Sequence, residues 1–216
     1  MNRRNLALVV LAAIVVVTLA AGVVAFAGGR GSENAAVAGD GPYRGSEPPG
    51  RITLPSFELP SYRGGLVSTD ALRGRVVLLT LLDSQCAEAC PILASVIART
   101  VDRLTGAERR HLRALAVTAD PAEDTPGSVR RFLATRRAEG RLDYLLGELH
   151  QLRPLWEALQ VLPSLDTGRD AVHSAPLRIY SRDGVWVATL HAGVDLSEKN
   201  LLHDIRYALA AGGTPK

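Results

Sequence analysis

The chain has 216 residues, 47% of them hydrophobic, and its 25 Lys and Arg against 22 Asp and Glu leave a formal charge of only +3. Arginines scattered among acids, as in Arg109-Arg110, Arg130-Arg131 and Arg136-Arg137, read as solvated helix faces or at most a docking patch for an acidic partner, and nothing suggests nucleic acid. There are two cysteines, and the domain is large enough to build its own core without a disulfide.

After Met1-Asn2-Arg3-Arg4-Asn5, residues Leu6 to Ala27 carry no charge. As a helix this stretch is roughly 33 Å long, enough to cross a bilayer core of about 30 Å. Its length favours an uncleaved anchor over residues 1–28. Ala25-Phe26-Ala27 before Gly28 also fits a signal-peptide cleavage site, which would release a secreted domain. Arg3 and Arg4 put the N-terminus in the cytoplasm of a single-pass cell-membrane protein, with the rest on the extracytoplasmic side. No cysteine follows the apolar run, so a lipoprotein anchor is excluded. Residues 29–50, rich in Gly, Ala, Ser, Glu and Pro, have the composition of a flexible linker. One domain is expected over residues 51–212.

Phe57-Glu58-Leu59 and Leu66-Val67-Ser68 flank Tyr62-Arg63-Gly64-Gly65 and predict a β-hairpin. Arg75 to Leu82 is almost wholly apolar and short, a strand buried on both faces and so central in a sheet with helices on both sides. Ile92, Leu93, Val96, Ile97, Val101 and Leu104 recur at helical spacing after Pro91, a residue suited to a first turn. Leu112 to Thr118 predicts a second buried strand, and a loop over 120–126 leads to a helix over 127–138. A short edge piece at Tyr144–Leu146 precedes a helix over 149–159. A hairpin turning at Arg182-Asp183-Gly184 joins strands over 177–180 and 185–190, and a helix over 197–210 closes at Gly212-Gly213. This order predicts an α/β thioredoxin-like fold: a central mixed sheet flanked by helices, with an extra N-terminal β-hairpin, following an N-terminal transmembrane helix.

The two cysteines stand in Ser84-Gln85-Cys86-Ala87-Glu88-Ala89-Cys90-Pro91, between the buried strand and the helix. A bridge between residues four apart closes too short a loop to stabilise much, so the pair is there for chemistry. Residues i and i+4 at a helix start share one side, so the sulfurs can form a disulfide or share one metal ion. The helix N-terminus favours thiolate, the form that attacks disulfides and binds soft metals. Two thiolates suit Cu(I), and adding an imidazole accommodates Cu(II) as well. Of the five histidines, His111, His150 and His203 read as surface residues and His191 as a strand-end rim residue. His173, in the polar loop Asp170 to Pro176 ahead of a strand, reads either as an ordinary loop histidine or as a ligand, since in a thioredoxin-like sheet that loop can approach Cys86 and Cys90.

The segments Ser84–Pro91, Asp120-Pro121 with Asp124-Thr125-Pro126, Leu152-Arg153-Pro154-Leu155-Trp156 and Val172-His173-Ser174 resemble, in that order, the Sco/SenC family of copper-binding thioredoxin-fold proteins, over residues 57–209. The resemblance implies that Cys86, Cys90 and His173 are copper ligands. It implies a metallochaperone more than an enzyme, one that assists copper-centre assembly in cytochrome c oxidase subunit II by delivering copper or by reducing the client's cysteines. A thioredoxin-like reductant would then recharge the pair. Ala87 replaces the family's usual Pro after the first cysteine, and Val172 its usual Asp before the histidine, changes that bear on affinity and redox poise and remove no ligand. Asp120 and Asp124 read either as shaping the loop or partner surface, or as a turn and helix N-cap.

Two other readings compete. A membrane-tethered thiol-disulfide oxidoreductase working without metal would use Cys86 and Cys90 as its redox pair, although thioredoxin motifs have two intervening residues and this one has three. A peroxiredoxin would need a distant third cysteine, which the chain lacks.

Overall fold

The computed structural model describes residues 41–161 and 176–211. The expected anchor and His173 lie outside these residues, and among the described residues no helix is long and apolar enough to cross a membrane.

Strands β1 (Glu58–Pro60) and β2 (Leu66–Ser68) form the expected antiparallel hairpin. Its turn needs two residues with positive φ, supplied by Gly64 at 92° and Gly65 at 80°. The remaining strands, β3 (Val76–Leu82), β4 (Leu112–Thr118), β5 (Asp143–Leu145), β6 (Pro176–Tyr180) and β7 (Trp186–His191), form one sheet in the order β5-β4-β3-β6-β7. Central β3 runs parallel to β4 and antiparallel to β6. Among the described residues the α-helices are α1 (Ala89–Asp102), α2 (Gly106–Arg110), α3 (Pro126–Thr135), α4 (Leu149–Ala158) and α5 (Glu198–Ala211).

All seven residues of β3 are buried, and its pleat divides them between two cores. Val76, Leu78 and Leu82 face a core with Leu93 and Ile97 of α1, Val129 and Leu133 of α3, and Leu201 and Ile205 of α5. Val77, Leu79 and Leu81 face another with Leu152, Leu155 and Trp156 of α4 and Phe57 and Leu59 of the hairpin region. This two-sided burial is why the strand reads as a continuous apolar run.

The linker boundary expected at Gly50 falls inside packed chain. The Tyr43 ring is buried edge-on against Tyr207, with centroids 5.0 Å apart. Arg44 and Gly45 donate their N–H groups to the carboxylate of Asp204 on α5, at 2.7 and 3.0 Å. Ser46 and Thr189 exchange backbone hydrogen bonds at 2.9 and 2.8 Å, and Ile52 and Leu54 continue the pairing with Trp186 and Gly184. A Cβ on Gly45 would lie 2.4 Å from the Thr189 carbonyl oxygen, so only glycine lets the strap approach β7 this closely. The segment is held by backbone pairing, which needs no apolar periodicity, and composition therefore read it as tether.

Candidate thiol and metal site

The site forms where β3 ends and α1 begins. Asp83, the first residue past β3, is buried and makes a tight turn: its carboxylate accepts the Gln85 N–H at 2.7 Å and its carbonyl accepts the Cys86 N–H at 3.2 Å. The chain then enters α1 with Glu88 as N-cap, but the Glu88 side chain caps nothing. Pro91, third in the helix, lacks an N–H at a position where that group would have no helical partner. The backbone N–H groups of Cys90, Glu88 and Ala89 at this helix start favour the charged form of the Cys86 sulfur.

The thiols divide their roles. The Cys90 S–H donates to the Cys86 sulfur, and this bond, helped by the three backbone N–H groups, outweighs burial and lowers the Cys86 thiol to a pKa of about 5. Cys86 is half-buried, whereas Cys90 is 7% exposed and packed in the α1 core. The proton it shares with Cys86, together with burial, pushes Cys90 well above the ordinary thiol range. One thiolate therefore faces out over one retained proton.

Three acids lie beneath the loop: Asp83 at 4%, Asp120 at 6% and Asp124 at 6% exposure. Burial, then the neighbouring charges of Asp124, Asp120 and Cys86, raise the Asp83 carboxyl. Asp120 forms a turn, accepting the Ala122 N–H at 3.1 Å through its side chain and the Asp124 N–H at 2.9 Å through its carbonyl. Asp124 is not the helix cap that its position suggested. Thr125 caps α3 in a reciprocal pair with Ser128. Asp124 instead turns inward. Its Oδ1 accepts the Ser84 N–H at 2.9 Å, and its Oδ2 lies 2.6 Å from both the Thr118 and Tyr144 hydroxyls. The Tyr144 hydroxyl is also 2.6 Å from the Leu82 carbonyl oxygen, and burial followed by the Asp124 charge holds this phenol well above its usual range. Trp156 donates its Nε1–H to the Thr118 carbonyl at 3.2 Å, joining α4 to the same knot.

The structure thus brings Cys86 and Cys90 together, as expected. Antiparallel pairing starts β6, at Pro176, from the sheet end where β3 stops, and His191 sits opposite Pro176. His111 follows α2 before β4, at the other end of the sheet, His150 is exposed in the first turn of α4, and His203 contacts Asp204 at 2.9 Å. Among the described residues no group of three or more His, Cys, Asp or Glu side chains is arranged to hold a metal. The site residues that sequence reasoning missed are Asp83, Ser84 and Tyr144. For Asp83 a signal existed, as the first charged residue after seven buried apolar or hydroxyl positions.

The model of the SCO1/SenC family matches residues 46–210. A protein of Stutzerimonas stutzeri described as copper-binding is 32% identical over 140 residues, 63% of this chain and 68% of that one. Among solved structures, BsSco, a Sco-family cytochrome c oxidase assembly protein with a disulfide switch, superposes with a TM-score of 0.64 at 20% identity, over 76% of this chain and 98% of that one. The copper-bound ScoI of Bradyrhizobium japonicum gives 0.58 at 21% identity, over 73% and 99%. The fold is thioredoxin-like, and the chain belongs to the SCO1/SenC family.

Proposed function

We propose that this domain takes copper as its cargo, holding it through the sulfurs of Cys86 and Cys90 with the imidazole of His173. The carrying observation is a thiolate-ready Cys86 paired with Cys90 at the mouth of α1, beside the buried carboxyl groups of Asp83, Asp120 and Asp124. Membership of the SCO1/SenC family and a relative described as copper-binding support it. The start of β6 at the thiol end of the sheet suits His173, three residues upstream of Pro176, as the nitrogen donor. The client in this reading is the copper domain of cytochrome c oxidase subunit II, met on the extracytoplasmic side of the membrane that residues 6–27 anchor.

A second reading rests on the unequal thiols. In a reductive role the Cys86 thiolate attacks a client disulfide, forming a mixed disulfide and expelling one client thiolate. The Cys90 sulfur then attacks Cys86 in that mixed disulfide, its proton passing to the client thiolate released. The client leaves with one thiol and one thiolate, which takes its proton from water, and Cys86 and Cys90 leave as a disulfide, two electrons having moved. A thioredoxin-like protein would restore them.

The His173→Ala variant separates the two. As a copper carrier it binds copper about 10- to 100-fold more weakly than wild type while exchanging disulfides normally. Unchanged copper affinity removes His173 from the ligand set.

A further inference from the structure

We infer that Asp124 is a positioning residue for the thiol pair, fixing where Cys86 stands relative to Cys90; this rests on the reading of these two cysteines as the working site. Cys90 is part of α1 and is held by the core. Cys86 is held less firmly: it is half-buried at the edge of the same core and belongs to the loop 83–88, outside the helix. The loop is tied back at Ser84, two residues before Cys86. The Ser84 N–H donates to Asp124 Oδ1 at 2.9 Å, and the Ser84 hydroxyl lies 3.2 Å from that of Ser128 in α3.

Asp124 can do this because it is itself immobilised. Its other oxygen is gripped by Thr118, the last residue of β4, and by Tyr144 of β5, whose hydroxyl also touches the Leu82 carbonyl at the end of β3. One buried carboxylate therefore references the thiol loop to the ends of three adjacent strands. These bonds span 6, 20 and 40 residues of sequence, so the arrangement exists only in the folded sheet. A loop anchored in this way pays its ordering entropy during folding, before any ion or disulfide partner arrives. Without Asp124, Cys86 would sample more positions, and both closing the disulfide and gathering an ion between the sulfurs would become less favourable.

The deciding measurement uses the full chain, without copper, equilibrated with glutathione. Two protein thiols and one glutathione disulfide give the Cys86–Cys90 disulfide and two glutathione thiols, and the chain contains no other cysteine. Asp124→Ala is expected to lower this equilibrium constant about tenfold. Asp204→Asn, which weakens a buried carboxylate clamp at the opposite edge of the sheet, is expected to leave it unchanged. An unchanged constant in Asp124→Ala, or an equal fall in Asp204→Asn, overturns the proposal. Should Asp124→Ala not fold, Tyr144→Phe replaces it, with a several-fold fall expected and an unchanged constant overturning the role. Copper loading of the wild-type chain is read separately. Its failure would sink the copper reading and leave the glutathione result standing as the judge of Asp124.

Discussion

Asp124 and Asp204 are the same device in two places. Each is a buried carboxylate that accepts backbone N–H groups from a segment distant in sequence, Ser84 in one case and Arg44 with Gly45 in the other. Their surroundings differ. Asp204 has His203 at 2.9 Å and two tyrosines, Tyr43 and Tyr207, around the strap it holds, with Tyr43 pushed up to about 12 by burial, then by Tyr207 and Asp204. Asp124 belongs instead to a group of like sign, in which Asp124, Asp120 and Cys86 all act on the buried Asp83 carboxyl. A clamp that only joins chain to chain has no reason to gather like charges. Such crowding is expected where a cation or a reacting thiolate has to be served.

Breaking the strap clamp should give the largest loss of stability and none of reactivity. Asp204→Ala strands two backbone N–H groups and is expected to cost about 3 kcal/mol in urea unfolding. It should also open Arg44 and Arg51 to trypsin, while Cys86 alkylation stays at the wild-type rate. Tyr144→Phe removes one hydroxyl from the thiol-side knot and should cost about 1 to 2 kcal/mol by the same assay. At the far end of the sheet, Arg73 and Asp70 form an ion pair with both side chains more than 80% exposed. Arg73→Ala is expected to change stability by less than about 0.5 kcal/mol.

The comparison sharpens with pH. The folded-state pKa of Cys86 is depressed to about 5, against about 8.5 for a free thiol. The reduced protein therefore gains stability from this group that is fully present above pH ~8.5 and is lost as pH falls toward 5. Iodoacetamide labelling of Cys86 should show a midpoint near pH 5, and Cys90 should stay unlabelled through neutral pH. A single midpoint near 8.5 for both thiols would remove the division between them.

Much of this was legible in the sequence. The unbroken apolar run of β3, the period of α1 and the thiols between them gave the strand-thiols-helix unit directly, because burial on both faces and helical spacing write themselves into residue order. Other features left weaker marks. Helix α2 was read only as a helix face at Arg109-Arg110, without bounds, although Thr105 and Glu108 carry the capping-box spacing and do form that box. Asp124 stands beside the true cap, Thr125, and its partners lie in three different strands and loops, so its inward role had no local signature. The part of the strap before residue 51 escaped because Ser46 pairs through backbone atoms that every residue possesses.

The most direct test of the central claim is a copper titration of the reduced full chain, in competition with a chromophoric Cu(I) chelator and checked by metal analysis. Cys86 and Cys90 as the copper site predict one tightly held ion per chain, lost in Cys86→Ser and in Cys90→Ser and absent from the oxidised protein. Copper binding that survives both serine variants, or none in the reduced wild type, would contradict it.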